Sequence, residues 1–187
     1  MGKIVLSENV SLDGVIQDPT GEEGFGRGGW GRIDEAWAKV LTDEALGTEA
    51  LLLGRRSYEY FARRFPSRSG KWADRLNSMP KYVVSATLED PDWNNSTVLK
   101  GDVVNEVSKL KQKVNGDIVV YASGRLVDTL MEHDLVDELR LMTFPFVVGD
   151  GERLFGETSD QKPMRLVDTR TVGDGLVLLT YQPVRDA

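Results

Sequence analysis

The sequence predicts an α/β protein in which a mostly parallel central sheet is flanked by helices on both faces. Strand-like and helix-like segments alternate through the middle of the chain, which is the order of a parallel sheet with crossover helices. Residues 50–53 and 118–122 are continuously apolar, as expected of strands that are buried on both faces. Two final strand-like runs are joined by Gly173-Asp174-Gly175, which predicts a C-terminal antiparallel hairpin.

The amino-terminal part combines a strand, a long loop and a helix. A strand is predicted from Lys3 to Leu6 and can extend to Val10. Residues 17–32 hold six glycines and one proline, so they form a loop. A loop of this length is usually functional or disordered, so we expect either a mobile lid over a site or a passive loop. Residues 34–46 carry apolar side chains at helical spacing and predict a helix.

The remaining elements follow from the same patterns. Helices are predicted from near Tyr58 onward and over residues 103–114 and 126–133. Further strands are predicted over residues 82–85, 97–99, 138–148, 166–172 and 176–181. Pro145 lies inside one of these strands and indicates a bulge or a sheet edge there.

Length and composition indicate a single domain over residues 1–187. The 187 residues fit one domain better than two small ones. There are no cysteines, which excludes disulfides and thiolate nucleophiles and fits a cytoplasmic protein. The formal net charge of −7 argues against a nucleic-acid partner. No apolar run approaches the length of a membrane span, so we expect no membrane partner.

Two strand-to-helix turns share one design. Residues 50–57 run from an apolar strand through Gly54 to Arg55, Arg56 and Ser57, and residues 118–125 end in Ser-Gly-Arg. A helix N-terminus presents free N–H groups and the positive end of the helix dipole. Each turn therefore predicts a phosphate site. The alternative is architectural, because a strand-to-helix turn needs a cap and a glycine in any case.

Arg55 and Arg56 are candidates to bind a nucleotide 2′-phosphate, because a guanidinium group matches phosphate oxygens in pairs. The alternative is a surface ion pair with Glu59 or another acid.

Asp13 and Asp34 are the candidate proton donors. Asp13 follows the first strand, and Asp34 opens the first helix beside the glycine-rich loop. The alternatives are structural: Asp13 can form a turn with Gly14, and Asp34 can cap its helix. The sequence has one histidine and no recognisable spacing of metal ligands, so no metal site is predicted.

Several segments together resemble the dihydrofolate reductase-like family. They are VSLDGVI at 10–16, LLGRRSYE at 52–59, KYVVS at 81–85, YASGRL at 121–126, LVDELRL at 135–141 with Pro145, and GDGERLF at 149–155. Their order and spacing are most similar to the C-terminal reductase domain of the bifunctional riboflavin-biosynthesis deaminase-reductase. The resemblance spans nearly the whole chain and implies a dihydrofolate reductase-like fold with a sheet of eight or more strands.

The resemblance also implies NADPH as the cofactor and assigns residues to it. The turn Gly54-Arg55-Arg56-Ser57 would meet its phosphate end, Ser85 would border the adenosine, and Ser123-Gly124-Arg125-Leu126 would hold the pyrophosphate. Ser11 and Asp13 would lie near the nicotinamide or the substrate, and Asp34 falls where dihydrofolate reductases carry the pterin-binding acid. Reductases of this type are typically homodimers.

The function expected from these features is hydride transfer from NADPH to a small heterocyclic substrate. That substrate is pterin-like or ribosylaminopyrimidine-like, as in dihydrofolate or 5-amino-6-(5-phosphoribosylamino)uracil reductases. One alternative is a nucleotide or small-molecule binding protein without turnover. A further alternative is an α/β domain that binds no nucleotide.

Overall fold

The computed structural model describes residues 1–31 and 34–185. Within these ranges the chain forms eight strands and five helices. The strands are β1 (Lys3–Val10), β2 (Thr48–Gly54), β3 (Lys81–Val84), β4 (Ser96–Leu99), β5 (Asp117–Tyr121), β6 (Glu138–Thr143), β7 (Met164–Val172) and β8 (Leu176–Pro183). The helices are α1 (Glu35–Leu46), α2 (Arg55–Arg64), α3 (Lys71–Ser78), α4 (Val103–Lys113) and α5 (Gly124–Glu132).

All eight strands belong to one sheet, in the order β4-β3-β2-β5-β1-β6-β8-β7. Neighbouring strands from β4 to β6 are parallel. β8 runs antiparallel to both β6 and β7. The predicted fold class, a mostly parallel sheet with a C-terminal antiparallel hairpin, is therefore confirmed.

Helices cover both faces of the sheet because strand residues alternate between two cores. Ile4 and Leu6 of β1 pack with residues of α4 and α5 such as Leu110 and Leu130. Val5, between them, packs with residues of α1, α2 and α3 on the other face. The five helices are 8 to 12 residues long, and none in the described part of the chain has the length and apolar character to cross a membrane.

Two boundaries differ most from the sequence prediction, and one helix was not predicted. The strand predicted over residues 138–148 ends at Thr143, because Pro145 has no N–H group to continue a ladder. α2 begins at Arg55 rather than near Tyr58. α3 was not predicted: its eight residues are mostly polar, and only Ala73 and Leu76 are buried. A helix this short depends on packing more than on its own periodicity.

Candidate functional site

A crevice opens at the carboxyl ends of β1 and β5, in the middle of the sheet. The two strands pair only as far as Ser7 and Tyr121. From there α1 follows β1 on one face, whereas α5 follows β5 on the other. Such a topological switch point is where open α/β sheets bind ligands. A cavity of about 1190 Å³ lies there.

The two predicted phosphate turns lie side by side at this crevice. The backbone N–H of Gly54, before α2, donates to Ser123 Oγ, before α5, at 3.0 Å. The residues of both turns line the cavity: Gly54, Arg55, Arg56, Ser57, Ser123, Gly124, Arg125 and Leu126. The two turns therefore meet at one edge of the sheet, and their binding of a cofactor stays a prediction.

The turn before α5 has an unusual backbone and leaves the helix without a side-chain cap. Ala122 and Ser123 both have positive φ angles, of 52° and 68°, which non-glycine residues rarely adopt. Ser123 Oγ donates to Tyr121 O at 3.1 Å and accepts the bond from Gly54. The Ser123 side chain therefore holds the two turns together and does not cap α5. A helix start without a cap offers its N–H groups to an anion.

An acid that the sequence analysis did not single out stands beside this helix start. A Cβ atom added to Gly124 would lie 2.5 Å from Glu152 Oε1. Glu152 Oε2 is 3.9 Å from Arg56 Nη1, and the Glu152 N–H donates to Gln17 Oε1 at 3.0 Å. The Glu152 carboxylate thus lies close to where a bound phosphate would meet α5.

The arginines after Gly54 remain largely open to solvent. Arg55 Nε is 2.9 Å from Glu59 Oε1, and its guanidinium group also contacts the Thr87 hydroxyl. The predicted alternative, an ion pair with Glu59, is therefore present. This pair is half-exposed, and exposed pairs of this kind contribute little. The Arg56 side chain is 81% exposed, so its guanidinium group can turn toward a ligand, whereas Arg55 would have to leave Glu59 and Thr87.

Asp13 and Ser11 lie outside the cavity lining. Asp13 accepts hydrogen bonds from Ser11 Oγ at 2.7 Å and from the N–H groups of Val148 and Gly149 at 3.0 and 2.8 Å. These donors, the Ser11 hydroxyl first, lower the pKa of Asp13 to about 2. The geometry favours the structural alternative for Asp13, because a carboxylate held by three donors gives up no proton at neutral pH.

Asp34 and Ser85 also lie outside the cavity lining. Asp34 Oδ1 accepts from the Trp37 N–H at 2.8 Å and caps α1, which was the structural alternative for this residue. Ser85 Oγ accepts from the Leu88 N–H at 3.0 Å and closes a turn after β3. Roles of these two residues in catalysis or in adenosine binding stay predictions.

Glu44, which the sequence analysis missed, is a buried acid of the cavity wall. Its carboxylate accepts from Ser7 Oγ at 2.8 Å and from Tyr121 OH at 3.1 Å, and it lies 3.3 Å from Arg140 Nη1. Burial raises the pKa of Glu44, and these partners oppose the rise. The signal was its position on the buried stripe of α1, with Trp37 and Leu41.

Glu8 is the second missed acid of the cavity wall. It follows Ile4 and Leu6 on one face of β1, and both of these residues are fully buried. Burial raises the pKa of Glu8 to about 8, the Ala122 amide lowers it, and Glu152 and Glu44 add to the rise. An acid at an alternating core position of a strand was the sequence signal.

Part of the cavity lining is aromatic and apolar. Trp37 and Trp72 meet edge to face with ring centroids 6.3 Å apart, and Trp37 Nε1 donates to Asn9 Oδ1 at 2.8 Å. The other apolar lining residues include Phe61, Phe65, Leu41, Met142 and Leu178. The cavity therefore combines an edge formed by two helix starts and their arginines with an aromatic and apolar part.

The glycine-rich loop forms one side of the cavity through its residues Gln17, Pro19, Thr20, Glu22 and Glu23. Asp18 is 1% exposed and accepts from the N–H groups of Glu23 and Phe25 at 3.1 and 3.0 Å. Arg27 Nη1 donates to Val148 O at 2.8 Å. The described part of the loop, residues 17–31, is thus built around a buried aspartate, whereas Arg32 lies outside the described residues.

Comparison with known proteins shows the family to which the chain is related. A family model described as the RibD C-terminal domain matches residues 2–178. The uncharacterized protein YyaP of Bacillus subtilis (strain 168) is 30% identical over 184 residues, which cover 96% of this chain and 94% of that protein.

Two solved structures share the fold. A proposed riboflavin biosynthesis protein from Shewanella sp. PV-4 superposes with a TM-score of 0.74 at 22% identity, covering 98% of this chain and 99% of that one. Dihydrofolate reductase from Enterococcus faecalis, solved with NADP(H), gives a TM-score of 0.63 at 14% identity, covering 97% and 96%. At these identities the likeness establishes the dihydrofolate reductase-like fold.

Proposed function

This chain belongs to the RibD C-terminal domain family, and we propose that it is an NADPH-dependent reductase of a small heterocyclic substrate. The observation that carries the proposal is the meeting of two helix starts, α2 and α5, at the switch point of a parallel sheet. NADPH would supply the hydride, and the protein would align it with the acceptor carbon.

The residues at the two turns fit a dinucleotide diphosphate. α5 begins without a side-chain cap, so its first N–H groups are available to an anion. Arg55, Arg56 and Arg125 all line the cavity. They supply local positive charge in a chain whose net charge is −7. Arg55 and Arg56 would hold the 2′-phosphate, and Ser123 to Leu126 would hold the diphosphate.

The substrate class follows from the apolar wall and its acids. A flat heterocycle would pack on Trp37 and Trp72, next to the polar groups of Asn9 and Glu44. A pterin or a ribosylaminopyrimidine has this combination of a planar ring and ring N–H groups. The RibD C-terminal family favours the ribosylaminopyrimidine.

The proposal is tested by following NADPH oxidation at its near-ultraviolet absorbance. The purified protein is mixed with NADPH and either dihydrofolate or 5-amino-6-(5-phosphoribosylamino)uracil, and a reaction without substrate is the control. Oxidation that depends on one of these compounds is the expected result. NADPH binding with no oxidation by either compound contradicts a reductase of these substrates and favours the alternative, a nucleotide-binding protein without turnover.

We also propose that the protein is a homodimer, as the family resemblance implies. The edge strand β7 supports this assembly, because Leu166 and Val167 are 48% and 43% exposed on it and an open edge pairs readily with a second chain. Light scattering of the eluting protein measures the mass directly: twice 20.8 kDa is the expected result, and a monomer mass contradicts it.

A further inference from the structure

Glu8 lies where β1 and β5 separate. The last paired position of these strands is Ser7 with Tyr121, whereas β1 continues beside β6 as far as Val10. Glu8 is therefore the first residue of β1 beyond its pairing with β5, and its side chain lines the cavity. It stands at the floor of the crevice in which a ligand of the switch point would lie.

One oxygen of the Glu8 carboxyl group lacks a hydrogen-bond partner in the described residues, although the Ala122 amide opposes the rise in the pKa of this group. Oε1 is buried and has no hydrogen-bond partner among residues 1–31 and 34–185. The charged groups that face it are two further acids, Glu152 from the segment before β7 and Glu44 from α1. Cations of the cavity lining contact those acids: Arg140 is paired with Glu44 at 3.3 Å, and the exposed Arg56 approaches Glu152 at 3.9 Å. A buried polar atom left without a partner indicates a role beyond stability.

We propose that Glu8 is the proton donor of the reduction, and that its neutral carboxyl group protonates the substrate atom bonded to the carbon that accepts the hydride. This inference rests on the proposed function of the cavity as a reductase site. The environment supports it, since burial and the two facing acids raise the pKa of Glu8 to about 8. At neutral pH the group therefore still carries its proton, which is the state a general acid needs.

The step balances with one hydride and one proton. The hydride from NADPH forms a new C–H bond at the carbon of a C=N or C=O group, and the electron pair of the double bond moves to the nitrogen or oxygen. That atom takes the proton from Glu8 and forms an N–H or O–H bond. NADPH becomes NADP⁺, and the Glu8 carboxylate takes a new proton from water at the cavity mouth.

The other candidate acids fit this role less well. Asp13 is held by three donors, and its pKa is lowered to about 2. Asp34 caps α1 from outside the cavity lining. Glu44 accepts from Ser7, Tyr121 and Arg140, and these partners oppose the rise in its pKa that burial causes. Among these four acids, Glu8 alone lines the cavity with a buried carboxyl oxygen that has no hydrogen-bond partner in the described residues.

The first test uses the free protein and needs no turnover. Infrared spectroscopy records the carbonyl stretch of protonated carboxylic acids between about pH 5 and pH 10. We expect a band that disappears with a midpoint near 8 in the wild type and in E89Q, a matched change at an exposed glutamate outside the cavity. The component with this midpoint should be missing from E8Q. A component that still titrates near 8 in E8Q, or the absence of such a component from the wild type, overturns the proposal.

The second test compares turnover with 5-amino-6-(5-phosphoribosylamino)uracil or dihydrofolate. E8Q should bind NADPH, by quenching of tryptophan fluorescence, as the wild type does. Its rate of NADPH oxidation should fall about a hundredfold, the usual contribution of a general acid. The wild-type and E89Q rates should decline as the pH rises through about 8, and the residual E8Q rate should lose this decline.

The outcomes separate the proton donor from the reductase. If the wild type oxidises NADPH with a substrate, and E8Q does so at the same rate and with the same pH profile, the role of Glu8 is wrong and the reductase stands. If the wild type binds NADPH but oxidises it with neither compound, the reductase is wrong and the role of Glu8 falls with it.

Discussion

At the scale of single residues, the cavity edge is a balance between cations and acids. Arg55 and Arg56 line the same edge as Glu152, which is close enough to interact with Arg56. A dinucleotide bound as proposed would bring several negative charges to this edge. The arginines would then favour its binding, whereas Glu152 would oppose it.

Arg55→Ala should weaken NADPH binding about tenfold to a hundredfold and leave NADH binding nearly unchanged. The reason is the loss of a charge-assisted hydrogen bond to the 2′-phosphate, worth about 1.5–3 kcal/mol, which NADH does not have. Titration calorimetry with both nucleotides measures the effect. R63A is the control, because Arg63 is an exposed arginine of the same helix outside the cavity lining. Equal weakening for both nucleotides contradicts a 2′-phosphate contact.

Glu152→Gln should strengthen NADPH binding about threefold to tenfold. The variant keeps the shape of the side chain and removes a like charge beside the start of α5, and such a contact near the surface is worth about 1 kcal/mol. The same titration measures it, with E157Q as a control for an acid lost outside the cavity lining. Weaker binding by E152Q would show that the acid holds the nucleotide rather than repels it.

At the scale of elements, features set by neighbouring residues could be predicted from the sequence, whereas features set by contacts between distant segments could not. The two strand-to-helix turns were predictable because Gly54 and Gly124 stand at the ends of apolar runs. Glu8 was not singled out, because its importance depends on β1 separating from β5, a contact across more than a hundred residues. The end of the strand at Thr143 was missed because Pro145 was interpreted as a bulge or a sheet edge in a strand that continued to Val148.

At the scale of elements, the testable prediction concerns the contribution of the Asp34 cap of α1 to stability. Asp34→Ala should lower the free energy of unfolding by about 1 kcal/mol, since an N-cap lost to alanine costs about 0.5–2 kcal/mol. Asp34→Asn should keep nearly all of it, because asparagine caps helices as well as aspartate does. Urea denaturation of both variants checks this. If D34N is destabilised as much as D34A, the bond from Trp37 is not what stabilises α1 here.

At the scale of the whole molecule, the layered sheet was predictable and its strand order was not. Alternation of strands and helices, together with the Gly173–Gly175 turn, indicated a parallel sheet with an antiparallel hairpin, and both are present. The place of β1 between β5 and β6 has no local signature, because pairing of parallel strands is decided by distant segments. The crevice forms because β1 lies between β5 and β6, so the cavity could not be predicted from the sequence.

The burial of Glu8 should make the free energy of unfolding depend on pH. The folded protein keeps a proton up to a pKa of about 8, whereas the unfolded chain releases it near 4.5. Between these values the folded state binds more protons, so the free energy of unfolding should fall as pH rises, by about 1.4 kcal/mol per pH unit. Urea denaturation across this range should show the fall in the wild type relative to E8Q. Parallel curves for the two proteins would contradict a buried neutral acid.

The most direct measurement of the central claim is a crystal structure of the protein soaked with NADPH. We predict the diphosphate at the start of α5, the 2′-phosphate at Arg55 and Arg56, and the nicotinamide in the crevice beside Glu8. Glu152 should have moved away from Gly124, which it approaches in the free protein. A nucleotide bound elsewhere, or an α5 start still occupied by Glu152 under saturating NADPH, would contradict the account.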